Sequence, residues 1–125
     1  MNIARIVFPG FWFGQSDLAE AVALARRGVG GFCVYGGTAQ QTAAFVQQMR
    51  EASPYNHLLI CADIDEDLRE VVTDAPALPS NAQLGAYASA EGAYKKGNML
   101  ACMARSIGID WVLAPVVDLG YASPA

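Results

Sequence analysis

A chain of 125 residues, 54% hydrophobic and 16% charged, carries enough apolar mass for one packed domain and too little length for two. Its net charge of −4 comes with eight scattered Lys and Arg, doubled only at Arg26-Arg27 and Lys95-Lys96, so no basic stripe exists and nucleic acid is not an expected partner. No segment approaches the roughly 20 consecutive apolar residues of a membrane span, and no membrane association is expected.

The first run, Ile3 to Phe8, reads as a strand and not as a signal peptide, because Pro9 interrupts it and no small-x-small cleavage site follows before Asp17. Gly10 to Gln15 reads as an aromatic loop. Ser16 is the expected N-cap of a helix in which Leu18, Ala21, Val22 and Ala25 recur at helical spacing until Gly28 stops it. Gly31 to Tyr35 is a second strand, closed by Gly36-Gly37. Thr38 then caps a second helix with Thr42, Phe45, Val46 and Met49 on one face. Ser53-Pro54-Tyr55-Asn56 is a turn, since proline cannot continue a helix and disfavours helical geometry before it.

Leu58 to Ala62 is a continuous apolar run, the pattern of a strand buried on both faces in a parallel sheet. It ends abruptly in Asp63, Asp65, Glu66 and Asp67, followed by Arg69 and Glu70. Carboxylates just past such a strand lie at the rim where α/β proteins bind ligands. Val71 to Gly85 reads as a long irregular connection. A third helix, about Ala90 to Ile107, turns Tyr94, Leu100, Ala101, Ala104 and Ile107 toward a core, and Gly108 ends it. Trp111 to Val117 is a fourth strand, closed by Asp118.

Strands alternating with helices indicate parallel βαβ units with right-handed crossovers. A small doubly wound sheet and the first half of a (β/α)8 barrel both fit. The half-barrel is preferred because a full barrel takes about 250 residues and this chain stops just after a strand. Its inner layer is expected to include Cys33, Ile60 and Val116. Cys33, Cys61 and Cys102 are odd in number and match no zinc spacing, so free thiols in a reducing cytoplasm are expected, with no metal and no cofactor.

A carboxylate at a strand rim can accept hydrogen bonds from two hydroxyls of a sugar, which makes the cluster Asp63, Asp65, Glu66 and Asp67 a candidate sugar site, although Asp63 and Asp65 alternate across the strand end and need not face one sugar. Asp118, ending the fourth strand, is a second candidate, although an Asp after a strand is often only a turn former. The alternative is a solvated loop whose acids only cap a turn. The sole histidine, His57, precedes its strand and lies at the opposite end from the carboxylates, a poor position for a general acid.

Several segments taken together resemble a family. Gly30-Gly31-Phe32-Cys33-Val34, Asp63-Ile64-Asp65-Glu66-Asp67, Leu78-Pro79-Ser80, Gly108-Ile109-Asp110 and Ala114-Pro115-Val116-Val117-Asp118-Leu119 are similar, in order and spacing, to the N-terminal domain of family 3 glycoside hydrolases, and most to the bacterial β-N-acetylhexosaminidase branch. The resemblance implies a (β/α)8 barrel and retaining hydrolysis of terminal, non-reducing β-linked sugars. It implies that Asp63 holds sugar hydroxyls and that Asp65 matches the acid two positions on. Glu66 and Asp67 stand where the family usually has glycine, and the family arginine is displaced to Arg69 or absent. The family's Lys-His motif, acid/base loop and nucleophilic aspartate fall later than residue 125, so the chain reads as an N-terminal fragment, inactive alone and prone to self-association. Rival readings are a β-glucosidase of the same family, a non-catalytic carbohydrate-binding or assembly module, and a phosphate binder at Gly36-Gly37-Thr38.

Overall fold

The computed structural model describes residues 2–116. They form strands β1 (Gly10–Trp12), β2 (Gly31–Tyr35), β3 (Leu59–Ala62) and β4 (Trp111–Val112), and helices α1 (Leu18–Arg26), α2 (Ala39–Ala52), α3 (Asn81–Tyr87) and α4 (Ala90–Ser106). All neighbouring strands pair in parallel, in the order β1-β2-β3-β4. A doubly wound sheet reverses its strand order at a switch point. Here each new strand joins the same advancing edge, which is the order of the first half of a (β/α)8 barrel and excludes the doubly wound alternative.

The register fixes which side chains share a face. Gly10 pairs with Cys33, Cys33 with Cys61 and Cys61 with Trp111, so these residues form one row on one face. Phe11 pairs with Val34 and Phe32 with Ile60 on the other face, where the helices lie. There Phe45 of α2 stacks on Phe11 at 4.2 Å and meets Phe32 edge-on at 5.5 Å. Ala21, Ala25, Val46, Met49, Ile60, Ile64 and Ala104 complete this buried cluster. Each fully buried large side chain in it contributes about 1.5–3 kcal/mol. The second helix forms as its sequence predicts: Thr38 and Gln41 close a reciprocal capping box, and Thr42, Phe45, Val46 and Met49 are buried.

Several expectations are corrected. Ile3 to Phe8 is not a strand: Asn2 caps a 3-10 turn at Ile3–Ile6, leaving Ile3 and Ile6 exposed, and the strand lies after Pro9. Phe11 is buried in the core, stacked on Phe45, and the Pro9 carbonyl accepts the Cys33 N–H at 2.9 Å. Asp17, not Ser16, caps α1; the Ser16 hydroxyl accepts the Trp12 N–H at 3.0 Å instead.

The connection after β3 contains α3, started by a Ser80–Gln83 capping box. In α4 the inward stripe is Lys96, Leu100, Met103, Ala104 and Ile107, which leaves Tyr94 and Ala101 exposed. The fourth strand is short, because Pro115 has no N–H to donate and the Val116 N–H turns aside to Asp65. Ile60 faces the helices, not the inner layer, and Val116 is exposed; of the three expected inner residues, Cys33 has that position.

Candidate functional site

The acids after β3 separate by what they hold. The Glu70 carboxylate accepts the backbone N–H groups of Asp65 at 2.8 Å and Glu66 at 2.9 Å, closing the loop on itself. Asp67 is buried and caps the 3-10 turn Leu68–Glu70, accepting the Arg69 N–H and the Arg69 guanidinium at 2.7 Å. Hydrogen bonding from Arg69 holds the Asp67 carboxyl below the usual carboxylate range, against the opposing effect of its burial. Glu66 accepts the Asn81 N–H at 3.2 Å. The Asn81 side chain joins the Asp65 carbonyl to the buried Lys96 ammonium, which donates to Asn81 Oδ1 at 2.7 Å.

Asp65, expected to bind sugar, is half-buried and accepts the Val116 N–H at 2.8 Å, tying the segment after β4 to the end of β3. Asp118 lies outside the described residues. Asp63 and Asp65 thus have different hydrogen-bond partners, Tyr35 and Val116. The Glu66 and Asp67 side chains both hold backbone around the loop.

Asp63 differs from its neighbours. It is exposed, immediately after β3, and its Oδ2 accepts a hydrogen bond from the Tyr35 hydroxyl at 2.7 Å. Tyr35 ends β2, and its hydroxyl in turn accepts from the Cys33 thiol at 3.0 Å. The hydrogen bonds to Cys33 and to Asp63 hold the Tyr35 phenol protonated, its pKa raised well above the ordinary tyrosine value. Cys61, beside Cys33 on the same row, has its thiol pushed up to about 12, first by burial and then by Cys33. Tyr35, the hydrogen-bond partner of Asp63, thus remains a proton donor at neutral pH, and the carboxylate accepts from it.

Trp12 flanks this arrangement, stacked on Tyr35 at 4.8 Å with 12° between the ring planes. Its indole folds back over Gly10, where a Cβ would collide with the six-membered ring. Neither Trp12 nor Tyr35 stands out by residue type. The signal lay in strand parity: Tyr35 is two residues after Cys33 and last before Gly36-Gly37, which puts it on the inner face at the rim. His57 is exposed and precedes β3, as its position in sequence indicates. Among the described residues no cluster of His, Cys, Asp and Glu is arranged to hold a metal ion, and no helix is long and apolar enough to cross a membrane.

A beta-N-acetylglucosaminidase/beta-glucosidase from Cellulomonas fimi is 31% identical over 91 residues, which is 73% of this chain and 16% of the length of that protein. The chain thus spans well under a fifth of the relative it matches. The sequence model of the glycosyl hydrolase family 3 N terminal domain matches residues 3–125. With that match running over almost its whole length and a singly wound parallel sheet beneath it, this chain belongs to glycosyl hydrolase family 3, within its N-terminal domain.

Proposed function

We propose that this chain supplies the sugar-holding rim of a glycosidase that removes terminal, non-reducing β-linked sugars, with β-N-acetylhexosaminides as substrates and Asp63 as the principal ligand. The observation that carries the reading is the exposed Asp63 carboxylate at the C-terminal end of β3, oriented by Tyr35 while the surrounding acids are engaged with backbone. One oxygen of Asp63 is left, among the described residues, without a hydrogen bond. Retaining hydrolysis requires a nucleophile and an acid/base group about 5 Å apart across the glycosidic bond. Asp65 and Asp67 are committed to Val116 and Arg69, so we assign that pair to the remainder of a longer polypeptide, which also closes the sheet into a barrel. The free thiols Cys33, Cys61 and Cys102 support a reducing, cytoplasmic setting.

A second reading takes β-glucosides as the substrate; it draws support from the printed name of the relative, which carries both activities. Steady-state kinetics of the full-length polypeptide on chromogenic β-N-acetylglucosaminide and β-glucoside separate the two. Asp63→Ala is expected to lower kcat/KM at least about tenfold on the preferred substrate, through loss of charge-assisted hydrogen bonds to hydroxyls. Unchanged kinetics would refute the assignment.

A further inference from the structure

We propose that Tyr35 is a positioning residue for sugar recognition, acting through Asp63 and held in place by Trp12 from one side and Cys33 from below. The inference rests on the reading of Asp63 as the sugar ligand and goes beyond it by naming what fixes that ligand. An exposed aspartate at a strand end turns freely about two torsions, and that freedom must be lost when a sugar binds. The Tyr35 hydroxyl removes it in advance by holding Oδ2 at 2.7 Å, which aims Oδ1 away from the phenol.

The hydrogen-bond direction is fixed along the whole chain of groups. The Cys33 thiol donates to Tyr35 Oη, and Tyr35 donates its one proton to Asp63 Oδ2, so Oδ1 is left to accept from sugar hydroxyls. The ring is held as firmly as the hydroxyl. Trp12 stacks on it at 4.8 Å, and the indole can lie there only because Gly10 lacks a Cβ. Gly10, Trp12, Tyr35 and Asp63 thus form a continuous support across three neighbouring strands, β1, β2 and β3. The ligand chemistry it suits is a vicinal hydroxyl pair of a pyranose, which offers two donors to one pre-aimed carboxylate.

The test is a double-mutant cycle in the full-length polypeptide with 4-nitrophenyl β-N-acetylglucosaminide, using Tyr35→Phe, Asp63→Ala and the pair. Tyr35→Phe keeps the ring and its stacking, and is expected to raise KM about five- to tenfold with kcat changed by less than about twofold. In the Asp63→Ala background, where no carboxylate is left to orient, the same change is expected to do nothing further. Should Tyr35→Phe not fold, Cys33→Ala weakens the same chain from below, with a KM rise of about twofold that also disappears in Asp63→Ala. Additive losses, or an effect confined to kcat, would overturn the positioning role. An Asp63→Ala enzyme with wild-type KM would overturn the reading of Asp63 itself, and with it this proposal.

Discussion

The Asp65 carboxylate accepts the backbone N–H of Val116 at 2.8 Å, across 51 positions of sequence, while Asp63 two residues earlier reaches across the rim to Tyr35. Adjacent acids of one motif therefore have different work: one fastens the segment after β4 to the end of β3, and the other presents a carboxylate oxygen to the rim. Asp65→Asn retains an acceptor and is expected to preserve KM within about threefold, whereas Asp65→Ala frees the Val116 N–H and lowers stability by about 1–3 kcal/mol. Chemical denaturation together with KM checks this; a large KM change with unaltered stability would return Asp65 to the substrate.

At the opposite end of the sheet Asp110 makes a comparable tie. Its Oδ2 accepts from Arg50 at 2.7 Å and from the Ile60 N–H at 3.0 Å, bridging α2, β3 and the start of β4. Removing it leaves a backbone donor beside a buried strand unpaired. Asp110→Ala is expected to cost about 1–3 kcal/mol, with no specific effect on sugar affinity. Thermal unfolding and KM measured on the same variant separate the two.

Asp67 gives the fold an acid-sensitive contact. Its folded carboxyl titrates below the ordinary value of about 3.9, chiefly because Arg69 hydrogen-bonds the charged form. A depressed carboxylate contributes stability above its unfolded value and loses it as pH falls through the folded one. The stability difference between the parent and Asp67→Asn is therefore expected to be full at pH 7 and to shrink steadily below about pH 4. Denaturation midpoints for both proteins across pH 2–7 check the sign; a difference that grows on acidification would contradict it.

Thr42 is fully buried on the core face of α2, and among the described residues its hydroxyl finds no hydrogen-bond partner. Valine has the same shape without the polar atom. Thr42→Val is expected to leave stability unchanged or raise it by about 1 kcal/mol, the sign opposite to most core substitutions. A measured loss above about 1 kcal/mol would show that the hydroxyl has a partner in the folded protein.

The inner sheet face exposes Trp12 at 46%, Leu59 at 40%, Trp111 at 51% and Leu113 at 38%. Such a face needs a cover, and β1 and β4 are also the edges of the described sheet. The 125-residue polypeptide on its own is expected to self-associate and to show no glycosidase turnover. Sedimentation and a chromogenic assay test both; a stable monomer with well-protected β1 and β4 amides would count against the half-barrel.

The sequence by itself determined the alternation of strands and helices, the boundaries of β2 and α2 and the buried run ending in acids, because those signals are local. Periodicity, a capping box and a glycine stop depend on residues a few positions apart. The position of Asp63 at the end of a buried strand was legible for the same reason. Only the tertiary structure decided which acid faces the rim: Asp63, Asp65 and Asp67 are alike in type, and their roles were set by Tyr35, Val116 and Arg69, two of them distant in sequence. It also moved the first strand from Ile3–Phe8 to Gly10–Trp12, since Phe11 gains a stacked partner in Phe45 that no reading of the N-terminal segment alone could reveal. The side of the sheet taken by Ile60 followed from register, which one residue of shift inverts, and register is fixed by pairing between strands and not by the composition of either.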